Sequence, residues 1–133
     1  MLLFQYPKCT TCKKTVKWLE VNNIEYTSRN IKDENPTYDE LKEIYSKSGL
    51  PIRKLFNTSG ILYRSLGLKD KLDTMSEDEI LKLLASDGML VKRPILINDS
   101  KVLIGFKEEV WKEALLKNSW LNFSWLYFLT LVE

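Results

Sequence analysis

Cys9 and Cys12 stand three residues apart where a short apolar run gives way to helical periodicity. Leu2 to Tyr6 reads as a buried strand that Pro7 stops, after which Cys12, Val16 and Leu19 fall on one helical face. Asn22 and Asn23 suit the end of that helix, and Ile24-Glu25-Tyr26-Thr27 resumes strand-like alternation. Residues 1 to 31 therefore read as one βαβ unit with the cysteine pair at its strand-to-helix corner. That placement constrains the fold more than any bulk property of the chain.

The middle of the chain predicts helices. Thr37 and Glu40 form a capping box ahead of Leu41, Ile44 and Tyr45, with Gly49 and Pro51 to end the helix. Ser76 and Glu79 repeat the box ahead of Ile80, Leu83 and Leu84, with Gly88 as the stop. Residues 51 to 72, carrying Gly60 and Gly67, predict short helical turns joined by loops. Ile95-Leu96-Ile97, Asn98-Asp99-Ser100 and Val102-Leu103-Ile104 then read as a β-hairpin, and a last helix follows from Lys107. The order βαβ, helices, ββα is that of an α/β, thioredoxin-like fold with a mixed sheet and a helical subdomain inserted at about residues 35–87.

A chain of 133 residues suits one domain, assigned here to residues 1–117, followed by an apolar tail at 118–133 rich in Trp, Phe, Leu and Tyr. The tail is too short and too interrupted by Asn and Ser to span a membrane. It fits an element packed on the body, an oligomer contact, a membrane-surface contact or a poorly ordered end.

Twenty basic and eighteen acidic residues leave a formal charge of +2, which argues for no direct nucleic-acid footprint and no polybasic membrane patch. Met1-Leu2-Leu3-Phe4 meets Lys8 before a signal-peptide core can form, so a cytoplasmic protein with reduced thiols is expected. With no histidine, the chain has no imidazole base or ligand, and two cysteines do not complete a tetrahedral zinc site. No metal and no resident cofactor are expected.

The thiolate is the reactive form of cysteine, and the free amides and partial positive charge of a helix N-terminus favour it, as do the nearby cations Lys8, Lys13 and Lys14. Cys9, at or just before the first turn, is the better nucleophile. Cys12, one turn further in, lies within disulfide reach and suits the resolving role. The plain alternative is a pair of small, inert core residues. Arg93-Pro94 precedes the hairpin: a cis Pro94 faces Cys9 and leaves edge groups for an extended thiol substrate, whereas a trans proline leaves Arg93 an ordinary surface cation. Cys9, Cys12 and Arg93 are thus the candidate catalytic residues, with Thr10, Thr11, Lys13 and Pro94 as candidate substrate contacts.

Tyr6-Pro7-Lys8-Cys9-Thr10-Thr11-Cys12-Lys13-Lys14, Asn57-Thr58-Ser59-Gly60 and Lys92-Arg93-Pro94-Ile95-Leu96-Ile97 resemble the arsenate reductase (ArsC)/Spx family over residues 1 to about 116. The resemblance implies the thioredoxin-like fold with its helical insertion and a reactive first cysteine at Cys9. For arsenate-reducing members it implies an oxyanion held by arginines and an external thiol reductant such as glutathione, glutaredoxin or thioredoxin. Only Arg93 matches those arginines; Asn57 and Gly105 occupy the positions of two others, leaving Arg53 and Arg64 as substitute cations. For Spx-type regulators it implies a redox switch that binds the RNA polymerase α subunit, although Pro51 stands where those regulators carry a contact-loop glycine and Gly49 lies nearby.

Two functions follow. One is a thiol-disulfide oxidoreductase of the arsenate reductase family, closest in appearance to its small CxxC thiol reductases. It would cycle Cys9 and Cys12 on a small thiol, disulfide or oxyanion substrate and meet a redox partner protein. The other is an Spx-like redox-switched regulator. A purely structural interaction module is the third reading, supported by the aromatic tail.

Overall fold

A computed structural model describes residues 1–117, so the predicted tail at 118–133 lies outside the described residues. Strand β1, Leu2–Gln5, is followed by helix α1, Thr10–Val21, and strand β2, Thr27–Asn30. β1 and β2 run parallel, Leu2 opposite Thr27 and Gln5 opposite Asn30, as a βαβ unit requires. β2 begins three residues later than the alternation suggests. Ile24 is used instead to close α1, its amide donating to the Leu19 carbonyl at 3.0 Å while Asn23 takes a left-handed φ of 55°. Its side chain packs with Trp18 and Leu19, so the apolar signal at Ile24 belongs to the helix end.

Helices α2 (Tyr38–Ser48), α3 (Ile61–Ser65), α4 (Leu68–Lys71) and α5 (Glu77–Ser86) lie between β2 and β3, with single helical turns at Ile52–Leu55 and Leu72–Thr74. Both capping boxes form: Thr37 accepts from the Glu40 amide and Ser76 from the Glu79 amide, each glutamate reaching back to its cap residue. Gly49 ends α2 in the left-handed conformation. Gly88 does not end α5. The helix stops at Ser86, Asp87 is extended with its carboxylate accepting from the Met89 amide, and Gly88 sits in the following turn, Gly88–Leu90. A Cβ on Gly88 would lie 1.7 Å from the Ile31 carbonyl oxygen, so glycine is required there by close approach to the chain after β2.

The hairpin forms as predicted, with β3 at Ile95–Ile97 and β4 at Val102–Ile104, and α6 follows at Glu108–Lys112, running into a wide turn at Glu113–Lys117. β3 is antiparallel to both β1 and β4, giving a mixed sheet in the order β2-β1-β3-β4. Alternation along β1 and β3 sends side chains to opposite faces. Leu3 and Leu96 meet Trp18 and Leu19 of α1 and Trp111 of α6 on one face. Phe4 and Ile95 meet Leu41, Ile44, Ile80, Leu81 and Leu84 on the other. This is the α/β arrangement expected of a thioredoxin-like chain carrying extra helices. Among the described residues, no helix is long and apolar enough to cross a membrane.

Candidate active site

Cys9 is the residue at the N-terminal cap of α1, with extended backbone (φ −85°, ψ 125°) and no side-chain cap. Its own amide donates to the Tyr6 carbonyl at 3.0 Å, which folds the loop after β1 back onto the helix start. The sulfur therefore meets the amides of the first turn, those of Thr11 and Cys12, which have no helical carbonyl to satisfy. Cys9 is half-buried and Cys12 fully buried; both are free thiols.

The two thiols titrate in opposite directions. Burial pushes the Cys9 thiol up, but the Cys12 amide, the Cys12 thiol, the Arg93 guanidinium and the Thr11 amide together outweigh it and hold Cys9 below its ordinary value. Burial pushes Cys12 up to about 12; the Tyr6 amide, which donates to its sulfur at 3.4 Å, offsets only part of this, and its hydrogen bond to Cys9 adds to the rise. The result is a nucleophile with raised thiolate population beside a thiol kept protonated. The cation that acts on Cys9 is Arg93, from the segment before β3. Lys8, Lys13 and Lys14 are exposed to solvent, which screens them.

Arg93 is joined to Pro94 by a cis peptide bond. Pro94 is buried, and its carbonyl accepts from the Gly105 amide at 2.8 Å, continuing the β3–β4 pairing by one step. The preceding segment is held as well: the Lys92 amide donates to Leu55 at 2.8 Å, and Phe56 bridges Val91. The Arg93 guanidinium lies over the Tyr6 ring at 5.4 Å and donates to the Met89 carbonyl at 3.4 Å. Its Nε is buried with no partner among the described residues.

Beside the cysteines opens a cleft of about 820 Å³, lined by Cys9, Thr11 and Arg93 and further by Asn57, Met89, Lys92, Gly105, Phe106 and Lys107. Of the residues singled out from the sequence, Cys9, Thr11 and Arg93 come together on its wall, and Cys12 lies beneath Cys9 in hydrogen-bond contact with it. Thr10 and Lys13 do not join them: they lie 300° apart around α1, hence close together on its exposed side, away from the cleft wall. Pro94 does not line the cleft; its carbonyl holds Gly105, which does. Arg53 and Arg64 do not line the cleft. Arg53 is paired with Asp73, and Arg64 donates to the carbonyls of Ser59 and Gly60. Lys92 and Lys107 also line the cleft, and a lysine directly before Arg93 with a glycine directly after β4 is the sequence signal of the first.

The chain is 52% identical over 113 residues to YusI of Bacillus subtilis (strain 168), an uncharacterised protein, with 85% of this chain and 96% of the relative covered. It is 35% identical to the regulatory protein MgsR of the same organism over 80% of this chain and 82% of that one. An ArsC family related protein from Bacteroides fragilis superimposes with a TM-score of 0.82 at 54% identity, covering 84% of this chain and 94% of its own. The model of the ArsC family matches residues 4–114, and the chain belongs to that family.

Proposed function

We propose that this chain is a thiol-disulfide oxidoreductase. The observation that carries the reading is the asymmetry of the cysteine pair: a half-buried Cys9 of lowered pKa opening on a cleft, and a buried Cys12 of raised pKa in contact with its sulfur. In the first step the Cys9 thiolate attacks one sulfur of a substrate disulfide, forming a mixed disulfide and expelling the other sulfur as a thiolate. Cys12 then gives its proton to the departing thiolate and attacks the Cys9 sulfur. The second substrate sulfur leaves as a thiolate, which takes its proton from solvent, and a Cys9–Cys12 disulfide remains. The protein dithiol has lost two electrons and the substrate disulfide has gained them. An external thiol reductant, glutathione or a dithiol protein such as glutaredoxin or thioredoxin, returns the pair to the reduced state.

Arsenate is a weaker fit to the same cleft. Among the described residues Arg93 is the one arginine on its wall, its guanidinium donating to Met89 and lying over Tyr6 with Nε left unpartnered. A multiply charged oxyanion draws on several charge-assisted donors at once. The test is turnover of a small mixed disulfide and of arsenate by the reduced protein: disulfide turnover that Cys9→Ser abolishes supports the reading, and arsenate turnover exceeding it overturns the substrate assignment.

A regulatory reading is favoured by a separate observation, the 35% identity to the regulatory protein MgsR over most of both chains. Oxidation of Cys9 and Cys12 would then bias a binding surface for the RNA polymerase α subunit. The loop at Gly49 to Pro51, with Leu50 40% exposed, is the surface to test. Capture of that subunit in one redox state only, without disulfide turnover, selects this reading over the enzymatic one.

A further inference from the structure

The cleft beside Cys9 carries more positive charge than the sulfur chemistry uses. Among the described residues its wall holds Lys92, Arg93 and Lys107 against one carboxylate, Asp87. Asp87 is engaged, accepting from the Met89 amide at 2.8 Å. Arg93 is engaged with Met89, with the Tyr6 ring and, through its charge, with Cys9. Lys92 differs from both. Its main chain is pinned to Leu55 at 2.8 Å, its stem lies along Gly105, and its exposed ammonium has no ion pair among the described residues; Lys107 shares the exposed, unpaired ammonium but not the seat along Gly105.

Gly105 explains that placement. It sits at a φ of 73°, and a Cβ there would lie 2.9 Å from the Lys92 Cε and 3.8 Å from its Nζ. A side chain at 105 is strained by that φ whatever the space, and its Cβ would press on the flexible end of the lysine stem. Glycine at this position thus leaves the ammonium beside the cleft while the backbone on either side is fixed by pairing.

We propose that Lys92 is the specificity-determining cation of the cleft, and that it selects disulfides carrying carboxylates, the chemistry of small cysteine-derived thiols. The choice of disulfides rests on the reductase reading above. A lysine ammonium is a compact point charge on a flexible stem, suited to a carboxylate at the end of a flexible chain. The size of the site agrees. About 820 Å³ is the volume of roughly 27 waters at about 30 Å³ each, far more than one tetrahedral oxyanion fills. Met89, Leu62 and Phe106 supply apolar wall for the carbon chain of a peptide-sized disulfide.

The test compares alkylation of Cys9 by iodoacetate, an anion, and by iodoacetamide, its neutral counterpart, on the Cys12→Ser background in which Cys9 is the lone thiol. The ratio of the two rates cancels the thiolate fraction and reads the charge that an approaching anion meets. Lys92→Gln is expected to lower that ratio by about three- to fivefold at low ionic strength, the order expected for one unit charge in a partly solvated cleft. Lys92→Arg is expected to keep it. A ratio that Lys92→Gln leaves unmoved, or that Lys92→Arg lowers as far as Lys92→Gln does, overturns the proposal. This readout does not require catalysis. Absence of disulfide turnover with a ratio that follows the charge at 92 fails the reductase reading and keeps the anion selectivity, whereas turnover with an indifferent ratio fails the inference alone.

Discussion

The Cys12 thiol donates its hydrogen bond to the Cys9 sulfur, and the Tyr6 amide in turn donates to Cys12. The chain of donors runs in one direction, from the loop after β1 through the buried thiol to the half-buried one. Negative charge is thereby stabilised at Cys9 and resisted at Cys12, so the order of attack and resolution is built into the start of α1.

Arg93 contributes to that polarity by charge, so Arg93→Gln removes one of the influences that hold the Cys9 thiol below its ordinary value of 9.0. The iodoacetamide rate followed against pH is expected to show a midpoint below that value in the Cys12→Ser protein and a higher midpoint once Arg93→Gln is added. An unmoved midpoint contradicts the assignment of Arg93 as the cation acting on the sulfur.

Cys12 supplies a second pH effect, of opposite sign. Its folded pKa of about 12 lies above the ordinary 9.0, so the folded state retains a proton that the unfolded chain loses. Its contribution to stability is fully present below about pH 9 and falls as pH rises from there toward 12. Thermal melts over this range should show wild type losing Tm faster than Cys12→Ser, which has no thiol at that position. Parallel pH dependence in the two proteins contradicts the buried, protonated state.

Trp111 links the core to the cleft. It is 1% exposed, packs edge-on against Trp18 and Phe106, and donates from Nε1 to the Gly105 carbonyl at 2.9 Å. Trp111→Ala is expected to cost about 3–5 kcal/mol in chemical denaturation. Trp111→Phe keeps an aromatic ring and leaves the Gly105 carbonyl without its donor, at a cost of about 1–3 kcal/mol. A loss under 1 kcal/mol for Trp111→Ala contradicts the central packing role.

What was legible in the sequence was local. Each capping box needs only two side chains three residues apart, and both formed at Thr37 and Ser76. The hairpin at Ile95–Ile97 and Val102–Ile104 was marked by its own turn residues. The features that were not legible depend on chain segments distant in sequence. Gly88 reads as a helix stop until the Ile31 carbonyl is brought against it. Ile24 reads as strand until its amide is seen closing α1. In the site, Cys9 and Cys12 are adjacent along one helix and could be paired from spacing alone. The acting cation could not be chosen that way, because Arg93 reaches Cys9 only after β3 has paired with β1, while the lysines beside Cys9 in sequence stand in solvent. Lys92 emerges only once its stem is laid along Gly105.

The central claim, that Cys9 attacks and Cys12 resolves, is tested most directly by intact mass after exposing the reduced protein to a small disulfide. Wild type is expected to lose the mass of two hydrogens as the Cys9–Cys12 disulfide forms. Cys12→Ser is expected to gain one substrate thiol as a stable mixed disulfide, and Cys9→Ser to react with neither outcome on the same timescale. A mixed disulfide forming on Cys12 in Cys9→Ser as fast as on Cys9 in Cys12→Ser would contradict the assignment.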